Sequence, residues 1–168
     1  YDPKYNFLEI YLADKNGLEV SVLDVGFGVS QILPIVVEAV LSERRFITIE
    51  QPELHVHPRL QSNLADLFIW SSSENSNRFI IETHSEHIIL RLQRRQREIS
   101  SEIERAEGES KKEANSFISD YLNINVVEKS GKSSSSKISK LTLNQDGSFN
   151  GEWPGGFFEE RFVEKGLI

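Results

Sequence analysis

The chain contains no cysteine and no methionine in its 168 residues. Without cysteine there is no disulfide and no thiolate metal site, which agrees with a cytoplasmic setting. A long apolar run is also lacking: the longest, Ile32 to Leu41, is broken by Glu38 and too short to cross a bilayer. No secretory leader opens the chain, so a membrane partner is not expected. Positive charge is in deficit. At a formal charge of −7 the surface as a whole repels nucleic acid, and any such contact needs a local basic patch. A phosphate-binding loop is missing too. Gly131-Lys132-Ser133 copies the end of one, but the glycine required five positions earlier is Val126, and serines follow where a helix is needed.

What is present suits a folded α/β chain. Ten Phe, two Trp and four Tyr supply bulky side chains for a core. Phe7 to Leu12 and Leu18 to Leu23 read as strands joined through Asn16-Gly17, a strong hairpin signal. A glycine turn, Asp24 to Gln31, then runs into an apolar helix, with Ser30 expected as N-cap, Pro34 in the first turn and an end near Ser42. Phe46 to Glu50 reads as a short buried strand, Pro58 to Trp70 as a helix, and Ser71 to Asn77 as a polar loop. A second apolar strand runs from Phe79 and ends in His84, ahead of a helix carrying Ile88, Leu92, Ile99 and Ile103 inward. Strands alternating with helices predict a mainly parallel sheet. Three regions are expected: 1–103 as core, 104–120 as a charged mobile insertion, and 121–168 as a β-hairpin with an aromatic tail. The hairpin rests on alternation at Leu122, Ile124 and Val126 and at Leu141 and Leu143, around a Ser-rich tip.

The chemistry concentrates between Phe46 and His87. Glu50 ends one strand and His84 follows another, and the carboxyl ends of strands in α/β sheets are where ligands bind. An acid in that place is also how P-loop NTPases organise Mg²⁺. In order and spacing, the glycine turn, Glu50, His57-Pro58 and His84 resemble the second half of an ABC-type ATPase head, in its RecF/OLD-like branch. The missing phosphate loop would lie upstream in that family, and the start at Tyr1 reads as the approach to a strand. The expectation is therefore the carboxyl-terminal part of a longer protein.

The resemblance implies a P-loop NTPase lobe with ATP and Mg²⁺ as cofactors and a homodimer closed around them. It makes Glu50 the Walker B acid and His84 the switch histidine at the γ-phosphate. Gly26, Gly28 and Ser30 stand where the signature turn meets the partner's nucleotide, although the sequence departs from Leu-Ser-Gly-Gly-Gln. His57 stands in the loop that crosses the dimer interface, where many members have Asp. Gln51 occupies the place of the usual catalytic Glu; a carboxamide orients water but cannot accept its proton, so Glu53 becomes a substitute base. Relatives of this kind act in DNA repair or phage defence, which makes DNA or an effector protein a partner. The Trp153 to Phe158 segment resembles the tail of an uncharacterised subgroup and is expected to pack against the sheet.

Other readings stay open. Gln51 allows an ATP-closed dimerisation switch with little hydrolysis. His55, His57, His84 and His87 together would allow a metal-dependent hydrolase, although their spacing matches no zinc helix. Arg91, Arg94, Arg95 and Arg97 could meet DNA phosphates, or could form a solvated helix face paired with Glu98 and Glu102.

Overall fold

A computed structural model of the chain describes residues 10–13, 15–22, 24–105, 122–129 and 135–150. It divides into two compact units, Tyr1–His87 and Ile88–Ile168. The expected insertion at 104–120, the Gly131-Lys132-Ser133 segment and the Trp153 to Phe158 tail lie almost wholly outside the described residues.

The first unit opens with a hairpin of β1 (Tyr11–Ala13) and β2 (Glu19–Ser21), paired antiparallel. Gly17 takes a φ of 80° in its turn, a conformation glycine adopts at little cost. Helix α1 (Phe27–Leu41) follows directly from Gly26, which stands at its N-cap. The helix therefore begins before Ser30, and Pro34 lies in its interior rather than its first turn. Ser30 is not the cap: its hydroxyl donates to the Phe27 carbonyl at 2.8 Å, within the helix. Pro34 cannot donate to the Ser30 carbonyl, so one rung of the ladder is missing here.

Strand β3 (Phe46–Glu50), helix α2 (Pro58–Glu74) and strand β4 (Arg78–Glu82) form a βαβ unit. The two strands are parallel, with Phe46 opposite Arg78 and Glu50 opposite Glu82. Ring packing at 5.1 Å between Phe68 and Phe79 seats α2 on the inner face. That face, carrying Ile47, Ile49, Phe79 and Ile81, is half-buried. The other face is exposed, including Phe46 at 65% and Ile80 at 58%, so the strand expected to be buried is covered on one side only.

Helix α2 also runs past Trp70, because Ser71 is fully buried and its hydroxyl donates to the Ala39 carbonyl of α1 at 2.7 Å. Small residues at Ala39, Ala65 and Ser71 let the backbones approach. Asn77, buried to 2%, joins the loops around β3 and β4: its Nδ2 donates to Ser42 O and Ser71 Oγ, and its Oδ1 accepts from Arg45 N.

Helix α3 (Glu86–Arg105) passes from the first unit into the second. The second unit also contains β5 (Ile124–Lys129), β6 (Ser136–Leu143) and β7 (Phe149–Asn150), an antiparallel sheet in the order β5-β6-β7. The expected hairpin is β5–β6, and β7 is an addition to it. Gly147 turns the chain from β6 to β7 at φ 75°, and a Cβ there would fall 2.4 Å from the Gln93 carbonyl of α3. Among the described residues only β3 and β4 pair in parallel, which corrects the expectation of a mainly parallel sheet. Strands joined by short turns must run antiparallel, and only this pair has a helix between its members.

Asn77→Ala removes three hydrogen bonds from a buried position and should cost about 3 kcal/mol. Urea denaturation should show a lower midpoint at unchanged slope. A loss under about 1 kcal/mol would mean that the loops hold together without this clamp.

Candidate functional site at the carboxyl ends of β3 and β4

The parallel register brings Glu50 and Glu82 side by side, at a strand spacing of about 4.8 Å. Both carboxylates are exposed, and neither is engaged by another described side chain. Beyond them the chain turns sharply: Gln51 adopts φ 46°, and its N–H donates to the Glu82 carbonyl at 2.8 Å, extending the pairing by one rung. A non-glycine residue held in the left-handed region carries strain of about 1–3 kcal/mol, a feature found at functional sites. Pro52, fully buried, anchors the turn beneath it.

Glu53 closes this turn onto the other strand. Its Oε2 accepts from Thr83 Oγ1 at 2.8 Å, and its Oε1 accepts from the His84 backbone N–H at 2.6 Å. Ser85 N donates to Thr83 Oγ1, and Ser85 Oγ donates to Gln61 Oε1. Gln61 in turn donates from Nε2 to the Val56 carbonyl at 2.9 Å. This network fixes the backbone of His84 while its imidazole remains exposed and uncommitted. Glu50, Gln51, Glu82 and His84 thus present free polar groups at one end of the sheet, and Glu53 is occupied in holding it.

The glycine turn lies against the same loop. A Cβ on Gly28 would fall 2.2 Å from the His55 carbonyl oxygen, so this glycine lets α1 touch the loop after β3. The Phe27 ring meets the His55 ring edge-on at 5.2 Å. Gly26 faces open space, and α1 has neither a side-chain cap nor an acid in its first turn. Unsatisfied N–H groups at such an end favour an anion. Of the three turn residues singled out in the sequence, Gly26 is open, Gly28 is packed, and the Ser30 hydroxyl is turned back into the helix. His57 serves as N-cap of α2, its Nδ1 accepting from Arg59 N at 3.2 Å.

Two hard carboxylate oxygens with open surroundings suit Mg²⁺, which uses one or two carboxylates and completes its shell with waters and phosphates. Glu82 was the less legible member of this pair, because only the register reveals that it stands beside Glu50. No group of three or more His, Asp or Glu among the described residues is placed to hold a metal by itself. The four histidines therefore give the metal-hydrolase reading no support. On α3, Arg94 and Arg95 pair with Glu98 at 2.6 and 2.7 Å, as a solvated helix face does. The Arg94 hydrogen bond, followed by that of Arg95, holds the Glu98 carboxyl below its ordinary value. That support is complete at neutral pH and fades as pH falls through the lowered value.

The sequence profile of the AAA ATPase domain family matches residues 2–89, just over half of the chain. The chain belongs to this AAA ATPase domain family, whose members are P-loop ATPases that bind nucleotide, usually with Mg²⁺. No curated protein and no solved structure matches the chain. No helix among the described residues is long and apolar enough to cross a membrane.

Gly28→Ala should destabilise the protein by about 1–3 kcal/mol, because its Cβ collides with backbone that cannot swing aside. Gly26→Ala should stay within about 0.5 kcal/mol, since its Cβ meets nothing. Paired thermal melts distinguish the two, and equal effects would mean that α1 does not rest on the His55 loop.

Proposed function

We propose that this chain supplies the Walker B acid, signature turn and switch histidine of an ABC-type ATPase head of the RecF/OLD-like branch. In this reading two copies close around Mg·ATP, hydrolyse it, and drive an effector or act on DNA in repair or phage defence. The observation that carries it is the convergence of Glu50 and His84 on the ends of adjacent parallel strands, with Glu53 fixing the His84 backbone. Exposed apolar side chains on α1 (Phe27, Val37, Val40 and Leu41) support further protein packing against this helix. An apolar helix of this kind is normally covered.

Glu50, with Glu82 beside it, would hold Mg²⁺; ATP bound with the metal supplies the phosphoryl group. The His84 imidazole would donate to the terminal phosphate, where charge stabilisation counts most. The open N-terminus of α1 at Gly26 would meet the partner's phosphates through backbone N–H groups. Glu53 is a positioning residue here: with both carboxylate oxygens accepting hydrogen bonds, it is badly placed to take a proton from water. Gln51 then stands where the resemblance puts the group that orients the attacking water. It favours a second reading, in which ATP closes the dimer as a switch and is hydrolysed slowly.

The two readings separate at Gln51. In the full-length protein, Gln51→Glu should raise the steady-state ATPase rate, by at most about 10²- to 10⁴-fold if a general base is what is missing. His84→Ala should lower the rate under either reading. A brisk wild-type rate unmoved by Gln51→Glu and by His84→Ala would remove both positions from catalysis. Assembly is tested at Gly26, where an added Cβ meets nothing among the described residues. Gly26→Asp should leave the melting temperature in place but abolish ATP-dependent dimers in sedimentation velocity. Dimers indifferent to nucleotide and to this substitution would sink the arrangement in trans.

A further inference from the structure

The opposite ends of the same two strands carry an independent feature. Arg44, Arg45 and Arg78 surround a cleft of about 430 Å³, together with Phe46 and Ser76. Among the described residues no acidic side chain lines it. Among the described residues none of the three guanidinium groups has a hydrogen-bond or ion-pair partner, in contrast to Arg94 and Arg95 on α3. Three unneutralised arginines at one spot are unusual on a chain whose formal charge is −7.

The loops that present these arginines are fixed. Arg44 and Ser76 both take a φ of 54°, in the left-handed region that residues with side chains seldom occupy. Arg44 N donates to the Asn75 carbonyl at 2.9 Å, and Arg78 N donates to the Arg45 carbonyl at 2.8 Å. Arg45 N donates to the Oδ1 of buried Asn77 at 2.8 Å. Beside the cations stands an aromatic ring: Phe46 lies opposite Arg78 in the register and is 65% exposed. Guanidinium forks recognise phosphate, and an exposed ring stacks a base. Four strand steps, about 13 Å, separate Phe46 in this cleft from Glu50, so it is not an extension of the Mg²⁺ site.

We propose that this cleft binds nucleotide phosphates, with Arg44, Arg45 and Arg78 on the phosphates and Phe46 under a base. Such a unit can come from a nucleic acid single strand or from a free nucleotide. A duplex is disfavoured, because its stacked bases leave nothing for the ring to meet.

The test is fluorescence anisotropy of a labelled oligothymidylate with the full-length protein over a range of salt, in EDTA to silence the Mg²⁺ site. Each single-strand phosphate neutralised contributes about 0.7 to the slope of log K against log salt. Joint replacement of Arg44, Arg45 and Arg78 by Ala should therefore lower the slope by about 2 and weaken binding. Phe46→Ala should weaken binding about 5- to 150-fold at unchanged slope, the loss expected of one stacked base. Replacing Lys129, Lys137 and Lys140 by Ala is the charge-matched control and should change neither. Circular dichroism confirms folding of each variant, which is expected because the three arginine side chains hold nothing in place. Competition by ADP at equal phosphate concentration assigns a free nucleotide as the source, and resistance to it assigns a strand. Absence of binding by both probes overturns the proposal, as does a cleft variant that behaves like the lysine control.

Discussion

The Glu53 carboxylate receives hydrogen bonds from Thr83 and from the His84 backbone, and the arrangement at the strand ends depends on this one clamp. It ties the turn after β3 to the turn after β4. With it in place, Gln51 is held in a left-handed turn against the Glu82 carbonyl. His55 is likewise brought to where α1 can rest on it through Gly28. A carboxylate committed in this way at a half-buried position contributes more to geometry than to proton transfer. The polar groups left uncommitted around it are therefore the ones available to a ligand.

The βαβ unit carries different side chains at its two ends. Its carboxyl end gathers acids and a histidine; its amino end gathers arginines and a phenylalanine. The two ends differ in charge, acidic at one and basic at the other. Asn77 serves the amino end as Glu53 serves the carboxyl end: each is a polar side chain that joins the two loops and leaves the neighbouring charged groups free.

Gln51 sets the chemical question that the site poses. A carboxamide in a strained turn beside an acid can place a water molecule, but it leaves the water's proton without an acceptor. Under both proposed readings the left-handed turn at Gln51 fixes where its carboxamide stands after Glu50.

Residue order alone determined a good deal. The Asn16-Gly17 hairpin, the strand ending at Glu50, the helix from Pro58 and the hairpin around β5 and β6 all follow from local periodicity and turn chemistry. The candidate acid and histidine were legible for the same reason: Glu50 ends one short apolar strand and His84 follows closely on another. Helix limits were less legible. Ser71 reads as loop, yet it is helical because its hydroxyl finds the Ala39 carbonyl of another helix. Ser30 reads as a cap, yet Gly26 in extended conformation lets the helix start sooner. Tertiary structure alone decided that Glu82 stands beside Glu50, that Glu53 is occupied and that Gly28 is a packing residue. It also decided that Arg44, Arg45 and Arg78 form one cluster. The physical reason is common to all four: each rests on contacts between segments far apart in the chain, and periodicity carries no information about register or distance across such a gap.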